Sequence, residues 1–131
     1  MKVYLASRYG RHPEMQEVAA SLAEYGWQVT SRWIKGDHDL SDSLEEGERF
    51  AIEDFEDITK SDVVINFTED KNVKGRNRGG RHVEFGIGLA LNLRIIVIGP
   101  RENVFHYLPT IEQYDDFETF LDQLESEVAD A

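Results

Sequence analysis

From Val83 to Leu91 the only charged residue is Glu84, and two glycines, Gly79 and Gly80, precede the run. A carboxylate in so apolar a segment costs free energy unless it is paired or used. The segment reads as a helix over 81–92, which puts Glu84 within about one turn of its start. There the helix dipole and unsatisfied N–H groups favour an ionised acid, so simple first-turn capping is an equally good reading at this level. Gly79 and Gly80 permit close approach of a ligand to backbone, and Gly86 and Gly88 leave little bulk around the acid. Two other polar residues interrupt apolar positions. Tyr4 sits in a short apolar strand and its hydroxyl needs a partner. Asp54 lies one helical turn from Ala51 and from Ile58, at the border of an apolar face. Each has a bland explanation alone, yet all three could converge at one edge of a sheet.

The elements that would bring them together follow from periodicity. Strands are expected at 2–6, 27–33, 63–67 and 94–98, with a short fifth near 111–114. Between them, Pro13 suits a first helical turn, Met15, Val18, Ala19 and Leu22 share a helical face, and Gly26 closes that helix. A second helix opens with the Ser43/Glu46 capping pattern and keeps Leu44, Ala51, Phe55 and Ile58 on one face as far as Lys60. A last helix follows Asp115 and Glu118, with Phe117, Phe120, Leu121, Leu124 and Val128 inward. Alternating strands and helices with continuously apolar strands predict a three-layer α/β fold. A five-stranded parallel sheet in the flavodoxin-like, Rossmann-like order 2-1-3-4-5 carries helices on both faces. Length, 131 residues without repeats or linkers, fits one domain spanning 1–131.

The chain is acidic, with a formal charge of −12 and no cysteine. These values speak against nucleic-acid polymers or anionic membranes as partners and exclude disulfides and thiolate metal sites. No apolar run approaches a membrane span and no export signal is evident, so a cytoplasmic protein is expected. His12, His38, His82 and His106 show no metal-ligand spacing, and neither metal nor cofactor is expected. Ligands of such sheets bind beyond the C-terminal strand ends. Ten of the 14 lysines and arginines fall in the loops there: Arg8, Arg11, Arg32, Lys35, Lys71, Lys74, Arg76, Arg78, Arg81 and Arg101. That concentration suggests an anion-binding edge, although acids in the same loops dilute it. The run 71–81 reads either as a solvated loop or as a lid over a phosphate-bearing substrate.

Three segments, KVYLAS at the start, DFEDITKSDVVINF in the middle and GGRHVEFGIGLALNLRIIVIG after it, resemble the nucleoside 2-deoxyribosyltransferase family, including its nucleotide N-glycosidase branch. The resemblance covers nearly the whole chain. It implies an enzyme in which Glu84 is the nucleophile on C1′, Asp54 assists the leaving base and Tyr4 orients Glu84. Asp62 matches a structural, strand-opening aspartate. The resemblance also implies a homodimer in which His106, within NVFHYLP, reaches the neighbouring site. Asparagine or serine is more usual there, and the 71–81 loop is longer and more basic than the family pattern. With the edge cations, this favours hydrolysis of a nucleoside 5′-monophosphate to free base and (deoxy)ribose 5-phosphate. Ser7, Arg8, Arg11, Gly80 and Arg81 are the expected phosphate contacts, and Trp33 stacks on the base or packs in the core. Base exchange as a transferase, cleavage of NAD and a non-catalytic nucleotide sensor remain the alternatives. A flavodoxin-type carrier is disfavoured because SRYGRHPE is not a Ser/Thr/Gly-rich phosphate cradle. A receiver domain is disfavoured because no acidic pair follows strand one.

Overall fold

A computed structural model describes residues 1–38, 43–72 and 78–130. Five strands, β1 (Lys2–Ala6), β2 (Gln28–Val29), β3 (Val63–Phe67), β4 (Arg94–Ile98) and β5 (Glu112–Tyr114), form one parallel sheet in the order β2-β1-β3-β4-β5. Four α-helices join them: α1 (His12–Ala23), α2 (Leu44–Thr59), α3 (Gly80–Ala90) and α4 (Phe117–Ala129). The expected three-layer fold and strand order are what the chain adopts. All five residues of β3 are buried, as a central parallel strand covered on both faces requires. Burial of each Val or Ile side chain there contributes roughly 1.5–3 kcal/mol.

The register assigns the faces. Tyr4 pairs with Val64, and Val64 with Ile95, so the three side chains share one face of the sheet. Helix α3 lies on that face so closely that a Cβ on Gly88 would stand 2.7 Å from Val64 Cγ2 and 3.1 Å from Ile95 Cδ1. Glycine at 88 therefore sets the depth of α3, and with it the height of Glu84 above the sheet. Helix α2 packs beside α3 on this face. On the opposite face Trp27, just after α1, meets Phe120 of α4 edge-on at 5.9 Å. At the strand starts, the Lys2 N–H donates to Asp62 Oδ2 at 2.9 Å, which gives Asp62 the structural place expected of it.

Three sequence expectations need correction. The second strand is only two residues long, not seven, because side chains take over its pairing. Ser31 Oγ accepts from the Leu5 N–H and Trp33 Nε1 donates to the Leu5 carbonyl, while Arg32–Lys35 coil into a 3-10 turn closed by Gly36 at φ 88°. Helix α2 does begin with Ser43 accepting from the Glu46 N–H, but it buries a different face. Phe50, Asp57 and Ile58 are inside, whereas Leu44 and Phe55 are 91% and 54% exposed. The inward face carries carboxylates, so the apolar stripe pointed the reading outward. Finally, Asp116 rather than Asp115 caps α4, accepting from the Thr119 N–H.

Candidate functional site

The three polar residues singled out by sequence come from three elements: Glu84 and Asp54 line one cavity, and Tyr4 lies behind Glu84. Tyr4 is wholly buried in β1, and its side chain rises from the face that α3 covers. Its hydroxyl donates to Glu84 Oε2, from the first turns of α3. Asp54 approaches from α2, and together with Glu84 it lines a cavity of about 280 Å³ at the C-terminal end of the sheet. Ser7, Arg8 and Tyr9 from the loop after β1, Trp33, His38 and Phe50, and Arg78, Gly79, Gly80 and Arg81 complete much of the wall. The chain places the cavity where parallel sheets of this order bind ligands.

Electrostatics distinguish the two acids. Glu84 keeps some surface toward the cavity, yet protein surrounds its carboxyl closely. Loss of hydration raises its pKa to about 8, the Tyr4 hydrogen bond pulls in the opposite direction, and the negative charge of Asp54 adds to the rise. Burial raises Asp54 to about 6. His38 and Arg32 oppose that shift, while Asp57 and Glu53 reinforce it. Burial, with the charges of Glu84 and Asp54, holds the Tyr4 hydroxyl well above its usual range, so it remains a proton donor to Glu84. Two neighbouring carboxyls with separated pKa values can divide the work of base and acid between them.

The expected phosphate contacts divide into two groups. Ser7, Arg8, Gly80 and Arg81 line the cavity, and Gly79 adopts φ 78° at the start of α3. Arg81, however, is buried, with its guanidinium on Glu102 at 2.6 Å and 3.3 Å. Arg11 does not line the cavity; it is held by Glu14 at 2.7 Å, by Glu69 at 3.4 Å and by the Thr68 carbonyl. Glu69 also pairs with Arg8 at 3.3 Å. Carboxylates are thus threaded through the basic edge, and Arg32 belongs to a separate cluster with Asp57 and Glu56. Lys74 and Arg76, with the rest of 73–77, lie outside the described residues.

Trp33 is buried at the cavity wall, its ring tilted against Tyr9 and its N–H fixed to β1, as the packing role requires. His106 departs from expectation. Its ring is 1% exposed and turned into its own chain, edge-on to Phe85 at 4.9 Å, and Nδ1 accepts from the Glu102 N–H at 3.0 Å. A ring so enclosed does not project toward a neighbouring molecule. Its apolar neighbours Val104, Phe105 and Leu108 are 74%, 59% and 38% exposed, as surface anchors would be.

Sequence reasoning missed His38, Phe50 and Tyr9 as cavity residues. The His38 ring stacks on Phe50 at 4.4 Å, its Nδ1 meets Asp37 Oδ1 at 2.8 Å, and its backbone N–H donates to the Tyr9 hydroxyl. No spacing could have revealed this, because loop and helix meet only in the folded chain. Phe50 alone was detectable, one turn before Asp54 on the same face of α2. Among the described residues no cluster of three or more His, Asp or Glu is arranged to hold a metal ion, and no helix is long and apolar enough to cross a membrane.

Comparison with solved structures identifies the architecture. The chain is similar to a 2-deoxyribosyltransferase from Bacillus psychrosaccharolyticus, with a TM-score of 0.72 and 18% identity over 95% of this chain and 96% of that one. It is likewise similar to the CMP N-glycosidase BcmB of Clostridium botulinum, with a TM-score of 0.64 and 20% identity over 96% and 99% of the two chains. A conserved protein from Enterococcus faecalis V583 aligns with a TM-score of 0.63 and 10% identity over 97% and 98%. At these identities the likeness is one of fold. No protein-family model and no curated protein matches the sequence.

Proposed function

We propose that the protein is an enzyme that cleaves the N-glycosidic bond of a nucleoside 5′-monophosphate, releasing free base and (deoxy)ribose 5-phosphate. The observation that carries this reading is that Glu84, hydrogen-bonded from behind by Tyr4, shares one cavity at the sheet edge with Asp54. The similar fold of an N-glycosidase and a deoxyribosyltransferase supports it.

As the C1′–N bond breaks, positive charge grows on C1′ and the bonding electron pair stays with the base. Ionised Glu84 faces that charge and forms a covalent bond to C1′, while Tyr4 orients it. The single proton that the resting pair keeps mainly on Glu84 must first pass to Asp54, which then supplies it to the departing base. Water then attacks C1′, breaking the Glu84–C1′ bond and returning a proton to Asp54. A second base in place of water gives exchange rather than hydrolysis. Arg8, Arg78 and the start of α3 form the side of the cavity suited to the phosphate. Glu69 partly neutralises Arg8, so the phosphate competes with a resident carboxylate.

The working unit in this reading is a homodimer. Exposed Val104, Phe105 and Tyr107, with Val83 of α3 and Phe55 of α2, supply the apolar surface it would cover. The deciding experiment incubates the protein with nucleosides and their 5′-monophosphates, with and without a second free base, and identifies the products. Base and sugar phosphate from a monophosphate support the proposal. Base exchange moves the protein to the transferase reaction, and binding without turnover reduces it to a sensor.

A further inference from the structure

His38 has no role in the reaction described so far, yet it is the most enclosed titratable ring on the cavity wall. Its side chain is 7% exposed, clamped between the Phe50 ring on one face and hydrogen bonds at its edge and backbone. Nε2 lies 3.0 Å from Glu53 Oε2 and 3.7 Å from Asp54 Oδ1, at an angle that makes a hydrogen bond to neither. Asp54 Oδ1 is likewise buried without a partner. Two buried polar atoms less than 4 Å apart are therefore unsatisfied in the wall that also presents Glu84. Such atoms are costly to leave unmade, and a bound ligand is the natural source of their partners.

The surroundings define what they present. Asp37 Oδ1 faces Nδ1 at 2.8 Å and Glu53 Oε2 lies 3.0 Å from Nε2, and a carboxylate oxygen accepts, so the groups at both edges of the ring call for N–H donors. The charged groups facing the ring are Asp37 from its own loop and Glu53 and Asp54 from α2, with Arg32 behind Glu53 at 3.9 Å. His38 thus offers an N–H, and next to it Asp54, in the reaction above, offers its proton.

Resting on that reading, we propose that His38 is a base-binding residue. Its Nε2–H and the Asp54 carboxyl form a two-point clamp that selects leaving bases with two adjacent hydrogen-bond acceptors. Cytosine meets the requirement with O2 and N3, and 6-oxopurines with O6 and N7. Uracil presents a donor at N3 beside O2, and adenine a donor at N6 beside N7, so each leaves one clamp atom facing another donor. A mismatch of this kind is strongly rejected, because a buried polar group is then left unpaired.

The test compares kcat/KM for the 5′-monophosphates of cytidine, uridine, guanosine and adenosine, in ribo and deoxy forms. The expected result is at least a tenfold preference for cytidine over uridine, or for guanosine over adenosine. His38→Ala should reduce that preference to less than threefold by slowing the favoured substrate most. His38→Gln, which keeps an N–H donor, should restore part of it and serves if the alanine variant fails to fold. Equal loss on every substrate would make His38 a structural residue and overturn the clamp. So would a wild-type preference for uridine and adenosine. Absence of cleavage of any monophosphate by the wild type would overturn the glycosidase reading and the clamp with it, whereas cleavage without base preference removes the clamp alone.

Discussion

Tyr4 and Glu84 stand 80 residues apart in the chain and are joined by a hydrogen bond from the phenol to the carboxylate, inside the layer between β1 and α3. That bond opposes the desolvation that otherwise keeps Glu84 protonated. The chemistry of one residue is therefore set by the other.

Tyr4→Phe removes the donor and should push the Glu84 pKa higher still. We expect kcat/KM at neutral pH to fall about 10- to 100-fold. The alkaline limb of the pH–rate profile should move upward while its peak falls. An unmoved profile with a uniform loss would assign Tyr4 to packing.

The wild-type profile should be bell-shaped, with limbs near 6 and 8 set by the Asp54–Glu84 pair. Below the lower limb both carboxyls hold protons and no nucleophile is present. Above the upper limb both are ionised and no acid remains. Between them the pair shares one proton, and the limbs belong to the pair rather than to either residue. A flat profile from pH 5 to 9 would contradict this assignment.

Glu84→Gln should abolish turnover by several orders of magnitude while stabilising the fold. The folded pKa of about 8 lies above the ordinary 4.5, so the native state holds a proton that the unfolded chain releases. Stability of the wild type therefore falls as pH rises from 4.5 to 8. Glutamine escapes that loss, and by about pH 7 the variant should gain about 3 kcal/mol, measured by denaturant titration. Equal stabilities at pH 7 would show that Glu84 is readily ionised in the native state.

Gly88→Ala places a methyl group against Val64 and Ile95. Overpacking of this kind costs about 1–3 kcal/mol. Because α3 must lift, Glu84 should separate from Tyr4, and activity should drop further than a loss of folded protein explains. Thermal melts and kcat on the same preparation test both parts.

For the homodimer, Phe55→Glu and Phe105→Asp each place a charge on exposed apolar surface. Sedimentation should show weakened association for at least one variant with the fold intact. A wild-type protein that sediments as a monomer and turns over fully would remove the dimer from the proposal.

Much of this was legible in the sequence because parallel strands and glycine-framed helices write themselves plainly. VVINF and RIIVI could only be buried strands, and the lone acid in VEFGIGLAL did fall on the cavity. What failed did so where side chains replaced backbone or where polarity was buried. Ser31 and Trp33 complete the edge of β1 in place of strand residues. Asp57 sits inside α2 because the Arg32 backbone and guanidinium satisfy it, so an apolar-face count chose the wrong stripe. His106 was placed outward by analogy, but an inward backbone N–H holds it. His38 was invisible because its partners, Phe50, Glu53 and Tyr9, are assembled only by tertiary contact.

The first strand of the chain occupies an interior place in the sheet, between β2 and β3. Parallel neighbours need long crossovers, and such non-local pairings form slowly. Tyr4 emerges first during synthesis, but it has no sheet partner on the β3 side until 63–67 is made and no carboxylate until α3 is added. A nascent or truncated chain ending before β3 would expose β1 as an unpaired edge, and one ending before α3 would have no activity. Turnover would then report completed folding, and the interval before it is when aggregation threatens most.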